Sequence, residues 1–200
     1  MTDFKLDMTM MLAIHNAFRR DLEHVSEMHA RSEGWELFER MLHVHHHAED
    51  ELLWPVTREA VAGDADDLAV LDEMSTEHAA FGPLLAELNR TLDRGERPSD
   101  ARANLDARLR EHMAHEEGAA LPLVDRTLTE EQWVEFGQGS TKLVGADMPR
   151  FLPWMLEGAD ENTTARVLRL LPEPVQQTYR DEWRPAYAAL DRWAPNGAVT

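Results

Sequence analysis

The chain has 200 residues, of which 43% are hydrophobic and 29% charged, which suits one substantial packed domain with or without an appendage. Its formal net charge of −18 disfavours phosphate backbones and anionic lipid surfaces, so we expect no nucleic-acid partner and no membrane partner. The absence of cysteine excludes disulfides, thiolate metal sites and a cysteine nucleophile. The first residues resemble no secretory leader and no long apolar run follows them, so we expect a soluble, cytoplasmic protein.

Helix-forming residues dominate the first two thirds of the chain, and Gly and Pro fall mainly between periodic segments. This pattern predicts four long helices at about residues 6–31, 35–61, 65–93 and 100–126. The breaks between them are short, which favours antiparallel packing of neighbouring helices. We therefore predict an all-α fold in which residues 1–128 form an up-down-up-down four-helix bundle.

The composition changes after Thr129, where tryptophan and proline become frequent. The sequence Thr-Glu-Glu-Gln at 129–132 predicts a capping box that opens a short helix. Two further helices are predicted at about residues 160–171 and 175–193. We predict that residues 129–200 form a C-terminal helical extension packed on the bundle, without a cluster of histidines and carboxylates of its own.

Each predicted bundle helix carries an apolar stripe at alternating spacings of three and four residues, and one histidine interrupts every stripe. On the second and fourth helices a glutamate follows this histidine by four residues, on the same face. Counting about 1.5 Å per residue from the connecting loops places all of these side chains at one level of the bundle. The set consists of His15, His45, Glu49, His78, His112 and Glu116.

A glutamate in a buried stripe is costly unless a positive group pairs with it, and neither Lys nor Arg occupies these stripes. Imidazole and carboxylate donors together suit iron, zinc or manganese, and the cores of helical bundles commonly hold carboxylate-bridged metal pairs. The sequence therefore predicts that these six residues ligate metal. Six donors suit two ions better than one.

The pairing of His45 with Glu49 rests on a weak internal repeat. The spacing His45-x3-Glu49-x5-Pro55 recurs as His112-x3-Glu116-x5-Pro122. Six other histidines need separate interpretations: three on the second helix, one on the fourth and two on the first, of which His29 lies near the helix end and is no candidate. We expect His43 and His47 to face solvent, because they lie opposite His45, and we regard His24 as no candidate, because it lies opposite His15. His46 and His115 lie nearer the stripes, and they are either hydrogen-bond partners of the ligands or, as is more usual for such positions, flanking surface residues.

At these motifs the sequence resembles the hemerythrin-like domain, the HHE cation-binding family, over about residues 8–126. The segments that carry the resemblance are HNAFRRDL at His15, HHHAEDELLWP at His45, EHAAFGPLL at His78 and EHMAHEEGAALP at His112. The resemblance implies a non-haem pair of iron ions with an oxo or hydroxo bridge, and manganese or zinc stay open as alternatives. From the ligand types we expect both glutamates to bridge the ions. One division of the histidines places His15 and His45 on one ion and His78 and His112 on the other, and the sequence does not decide between this division and others.

One position departs from the oxygen-carrying members of that family. They place a second histidine one turn before the third-helix ligand, where this chain has Met74. The set resembles instead the more symmetric sites of sensors and enzymes. The leading hypothesis is a di-iron protein that binds dioxygen or a related small oxidant, such as peroxide or nitric oxide, for sensing, storage or detoxification.

Two alternatives stay open from the sequence alone. The first is a di-iron enzyme with catalase-like, peroxidase-like or nitric-oxide-reducing activity. The second is a metal-dependent interaction module whose C-terminal extension contacts a protein partner or a second copy of the chain. The sequence does not decide whether the protein is an enzyme.

Overall fold

The structure is a computed structural model that describes residues 4–196, so the outermost ends of both predicted segments, 1–3 and 197–200, lie outside the described residues. Within the described part every regular element is helical, apart from an isolated bridge between Ser32 and Pro195. The predicted all-α fold is therefore confirmed. None of the helices described has the length and apolarity needed to cross a lipid bilayer.

Four helical rods correspond to the four predicted helices. The first is α1 (Thr9–Glu27), and the second joins α2 (Glu33–Ala48) to α3 (Trp54–Ala60) through a π-helical turn at Glu49–Leu53. The third is α4 (Ala65–Asp93), and the fourth joins α5 (Ser99–His115) to α6 (Leu121–Thr127) through a π-helical turn at Glu116–Ala120. The first helix is shorter than predicted at both ends, and at its C-terminal end it stops because the chain turns to an extended conformation at Met28.

Local signals define where these rods begin. The hydroxyl of Ser32 accepts a hydrogen bond from the backbone N–H of Trp35, which caps α2, and the carboxylate of Asp64 accepts from two backbone N–H groups at the start of α4. Gly63 and Gly95 adopt positive φ values of 103° and 64° in the connections that precede and follow α4. Glycine suits these positions because side chains disfavour the left-handed region.

A proline accounts for each π-helical turn. Proline lacks the N–H that would continue the α-helical ladder, and its ring clashes with the carbonyl four residues before it, so the preceding turn widens. Each of the three turns begins six residues before a proline: Glu49 before Pro55, Glu116 before Pro122 and Tyr179 before Pro185. Pro83 lies inside α4 without such a turn, so proline alone is not sufficient.

The core has two clusters of buried apolar side chains, and each rod passes through both. On α1, Met11 belongs to one cluster and Phe18 to the other, with His15 between them. The second rod meets the clusters in the reverse order, with Met41 before Leu53. The third rod follows the order of the first and the fourth that of the second, with Met74 before Phe81 and Leu109 before Ala120. This alternation is what an up-down-up-down bundle requires, and it leaves the histidines and glutamates at the boundary between the clusters.

The extension consists of short helices. They are α7 (Glu130–Val144), α8 (Met148–Leu156), α9 (Glu161–Arg169), α10 (Glu173–Thr178) and α11 (Arg184–Ala188), with a 3-10 turn at Gly145–Asp147 and a π-helical turn at Tyr179–Trp183. The predicted capping box at Thr129 and Gln132 is confirmed. Helix α8 was not predicted, and the last predicted helix ends at Ala188 rather than near 193.

A buried polar contact fixes the extension against α1. Asp21 is 1% exposed, and its carboxylate accepts hydrogen bonds from the indole N–H of Trp154 at 2.7 Å and from Arg20 at 2.8 Å. The Trp154 ring also packs edge-on against Phe18, with centroids 5.0 Å apart. The extension therefore contributes to the same apolar cluster as the bundle.

Candidate metal centre

The structure brings all six predicted ligands together in the middle of the bundle. Every one is buried, with at most 8% of its surface exposed. Helices α1, α2, α4 and α5 each supply one histidine, and the two π-helical turns begin at the two glutamates. Side chains from four rods thus converge at one level.

Four donors form a first group. Ligand atoms of His15, His45, Glu49 and Glu116 all lie within 4.8 Å of one another. The Nε2 atoms of His15 and His45 are 3.1 Å apart, and His15 Nε2 lies 3.2 Å from Glu116 Oε2. His45 Nε2 lies 3.3 Å from Glu49 Oε1. Two imidazoles and two carboxylates therefore face a common point.

The second group adds three imidazoles. Ligand atoms of His46, His78 and His112 also lie within 4.8 Å of one another. His78 Nε2 lies 3.5 Å from Glu49 Oε2, and His112 Nε2 lies 3.8 Å from Glu116 Oε2. Each glutamate consequently approaches histidines of both groups, which is the position that a bridging carboxylate needs.

His46 occupies a different environment from the surface position that is usual for such residues. It is 7% exposed, and its ring stacks on that of His78 with centroids 4.1 Å apart. The expectation that His46 lies at a flanking surface position is wrong. The second rod is buried on more of its circumference than the face that carries His45. His43 and His47 are exposed, as expected, and His115 is half-buried with its Nδ1 hydrogen-bonded to Glu77.

Three further carboxylates orient the imidazoles, and the sequence prediction had missed them. His15 Nδ1 donates to Glu117 at 2.8 Å, His78 Nδ1 to Asp50 at 2.9 Å and His112 Nδ1 to Glu77 at 2.7 Å. Each ring therefore carries a proton on Nδ1, which donates to the carboxylate, and points its Nε2 atom inward toward the other donors. The sequence offered one signal that could have identified these carboxylates: each of them is next in sequence to a predicted ligand.

Burial and mutual charge set the protonation of the site. Burial and the neighbouring Glu116 carboxylate raise the pKa of Glu49 well above its ordinary value. Burial opposes ionisation of Glu116 as well, but the charge of His15 beside it brings the pKa of Glu116 below its ordinary value. Burial also disfavours the His15 imidazolium, yet Glu116 and Glu117 outweigh it and raise the pKa of His15 to about 9. Burial lowers the pKa of His45 well below its usual range, which keeps this ring neutral.

Several polar atoms of the cluster have no hydrogen-bond partner, and they indicate whether metal cations fit the site. Both carboxylate oxygens of Glu49 and of Glu116, and the Nε2 atoms of His46, His78 and His112, are buried without a hydrogen-bond partner. Buried polar atoms in native proteins nearly always have partners, and buried carboxylates need a positive one. Imidazole and carboxylate donors are those of first-row transition metals. The residues present therefore fit a pair of such cations.

The comparison with protein families agrees with this geometry. The family described as Hemerythrin HHE cation binding domain matches residues 7–124, which is more than half of the chain. The chain belongs to the hemerythrin HHE cation-binding family. No curated protein and no solved structure gives a significant match. Membership of the hemerythrin family and the buried cluster together indicate a metal-binding protein, and the extension lies outside the matched residues.

Proposed function

We propose that the hemerythrin domain of this chain holds two iron ions and binds dioxygen or a related small oxidant, peroxide or nitric oxide, in the bundle core. The observation that carries the proposal is the position of Glu49 and Glu116. Both are fully buried, neither has a hydrogen-bond partner for its carboxylate oxygens, and each lies between two groups of histidines. The oxidant would be bound for sensing, storage or detoxification.

In this proposal Glu49 and Glu116 would serve both ions. His15 and His45 would hold one ion, and His78 and His112 would hold the other. Manganese or zinc are the alternatives for the metal, and the donor set alone accepts all three. A pair of iron ions with an open coordination position supplies the capacity to bind a small oxidant and exchange electrons with it.

Apolar side chains of the chain would keep water away from this point. Phe18, Met41, Met74 and Phe81 are all buried, and the Phe18 ring centroid lies 5.6 Å from that of His45. A dry surrounding limits the access of protons to a bound oxidant and so disfavours its irreversible loss. These residues thus favour binding over uncontrolled turnover.

A cavity beside the proposed centre would give small molecules access to it. It lies between the second and third rods, has a volume of about 370 Å³ and is lined in part by His46, Asp50, His78 and Phe81. His78 belongs to the proposed metal centre, so the cavity is lined by one of the proposed ligands. Such a cavity is large enough for diatomic molecules and peroxide.

The experiment loads metal-free protein with Fe²⁺ under anaerobic conditions and records the visible spectrum during exposure to dioxygen and after its removal. We expect a visible band on exposure that reverses when dioxygen is removed, and no such band in Glu49→Ala. The exposed His29 supplies the control, because His29→Ala leaves the donor set and the lining of the cavity intact and should behave as wild type. An unchanged spectrum in the wild-type protein, or the same band in Glu49→Ala, would reject the proposal.

A second candidate is an enzyme that decomposes peroxide or reduces nitric oxide. The observation that favours it is Met74, which is fully buried one helical turn before His78. Methionine at this position supplies no imidazole ligand to the metal. An open metal position there admits a substrate. Rapid loss of peroxide with the iron-loaded protein, and none with the metal-free protein, would favour the enzyme over the binding protein.

A third candidate uses the extension as a contact surface for a protein partner or a second copy of the chain. The large hydrophobic side chains exposed among the described residues, Val134, Leu170 and Leu190, all lie in the extension. If metal governs this contact, the molar mass in solution should differ between metal-free and loaded protein. Equal masses would count against this candidate.

A further inference from the structure

His46 is not among the six predicted ligands, but its place on α2 points to the same centre. Successive residues of an α-helix are rotated by about 100°, so His46 lies about 100° from His45. Glu49 lies one turn further along, about 40° from His45 and about 60° from His46. The glutamate that approaches both histidine groups therefore stands between the two neighbouring imidazoles of its own helix.

The contacts of His46 lead to the second histidine group. Its ring is stacked on His78 at an interplanar angle of 12° and meets His112 edge-on, with centroids 5.1 Å apart. Its Nε2 is buried and has no hydrogen-bond partner. A ring nitrogen of His46 lies within 4.8 Å of ligand atoms on both of these histidines. A buried polar nitrogen without a partner is costly unless something binds its lone pair.

The internal repeat shows that packing alone does not call for histidine here. Residue 113 follows His112 as His46 follows His45, and in the repeat this position is methionine. Met113 is 1% exposed and belongs to the apolar core. The bundle therefore accepts an apolar side chain of similar length at the corresponding place, and the imidazole at 46 needs another explanation.

We infer that His46 is a fifth imidazole ligand and binds the ion that is held by His78 and His112. The inference rests on the proposed metal pair. It makes the two coordination spheres unequal, with three imidazoles on this ion and two, His15 and His45, on the other. The asymmetry follows from one difference between the two halves of the repeat, which is His46 in the first half and Met113 in the second.

The test counts metal-bound histidines in the full-length protein loaded with Co²⁺. Histidines are labelled with ¹³C, and ring spin systems with large contact shifts are counted by NMR, because contact shifts require a bond between metal and ring nitrogen. We expect about five such rings in the wild-type protein and about four in His46→Met, which copies the residue of the repeat. His46→Gln, which keeps a polar side chain, should lose the same ring, and the control His47→Ala should lose none.

A second readout is the affinity for each ion, measured by competition with a chelator. Loss of a ligand should weaken binding of one ion by at least about tenfold and leave the other nearly unchanged. Four shifted rings in both wild type and His46→Met would overturn the role of His46 while leaving the metal pair intact. No contact-shifted ring in the wild type would overturn the metal centre and this inference together.

Discussion

The carboxylate of Glu77 offers a sharp test of how the chain tunes its metal centre. It accepts a hydrogen bond from His112 Nδ1 at 2.7 Å and another from His115 Nδ1 at 2.8 Å. Burial raises its pKa, but these two hydrogen bonds outweigh burial, so the pKa of Glu77 lies below its ordinary value and the group is ionised at neutral pH. Glu77→Gln keeps the shape of the side chain and removes the charge.

This substitution should weaken metal binding without unfolding the protein. An amide cannot accept from both rings as well as a carboxylate does, so His112 becomes less basic and less well oriented. Loss of such a partner costs about 10-fold to 100-fold in metal affinity, or about 1.4 to 2.7 kcal/mol. The Glu77 side chain is 31% exposed, so solvent screening places the expected loss near the lower limit.

The assay is chelator competition on purified wild-type and variant protein. Glu73→Gln is the matched control, because Glu73 lies one turn earlier on the same helix, is 60% exposed and approaches only the Nε2 of His115, at 3.5 Å. We expect unchanged affinity for this control and unchanged helical content for both variants. Equal affinity of Glu77→Gln and wild type, or an equal loss in Glu73→Gln, would refute the reasoning.

Three further predictions concern His15 in the metal centre and Gly34 and Asp21 in the packing of the C-terminal extension. Despite burial, neighbouring carboxylates raise the pKa of His15 to about 9, so below that pH metal must displace a proton from it. Affinity should therefore rise between pH 6 and 9, with proton release visible by calorimetry in buffers of different protonation enthalpy, whereas a flat profile would contradict this view. Gly34→Ala should lower the free energy of unfolding by about 1 to 3 kcal/mol, since a Cβ there would lie 2.7 Å from the Trp193 ring. Gly137→Ala, with open space around its Cβ, should not lower it in the same urea titration. Asp21→Ala leaves the buried indole N–H of α8 without its acceptor and removes one acceptor of the Arg20 guanidinium, which keeps the backbone carbonyls of Trp154 and Glu157. The substitution should cost about 1 to 3 kcal/mol, detected as a lower urea midpoint. A midpoint equal to wild type would show that this contact does not fix the extension.

Much of the bundle could be predicted because its sequence is regular. Each rod has a continuous apolar stripe with one histidine, and the short connections let the distance to each loop be converted into a height in the bundle. Counting residues from the loops predicts the level of His45 and His112 in the bundle, because both histidines precede the π-helical turns. Residues beyond Glu49 or Glu116 follow a different rotation, which a uniform 3.6-residue period does not describe.

The rest of the site depends on contacts between distant parts of the chain. Glu117 bonds to a histidine that is 102 residues away, and Glu77 bonds to one that is 35 residues away. Helical periodicity predicts which face a residue occupies, but it does not predict which neighbour a flexible carboxylate meets. His46 was missed because its burial depends on how closely α4 and α5 approach the second rod.

Helix α8 was missed for a local reason. Pro149 and Pro153 both lie within it, and proline usually indicates the end of a helix. Pro149 falls in the first turn, where its missing N–H would have had no helical partner. The apolar residues around Pro153 are buried against α1, so tertiary packing stabilises a helix that local preference disfavours.

The central claim is that the buried donors of this core exist to hold two metal ions. The most direct measurement is the iron content of protein loaded anaerobically with Fe²⁺ and then desalted, compared with Glu116→Ala treated identically. The account predicts about two iron ions per wild-type chain and a clear loss in the variant. Far less than one ion per chain, or a content that Glu116→Ala leaves unchanged, would contradict it.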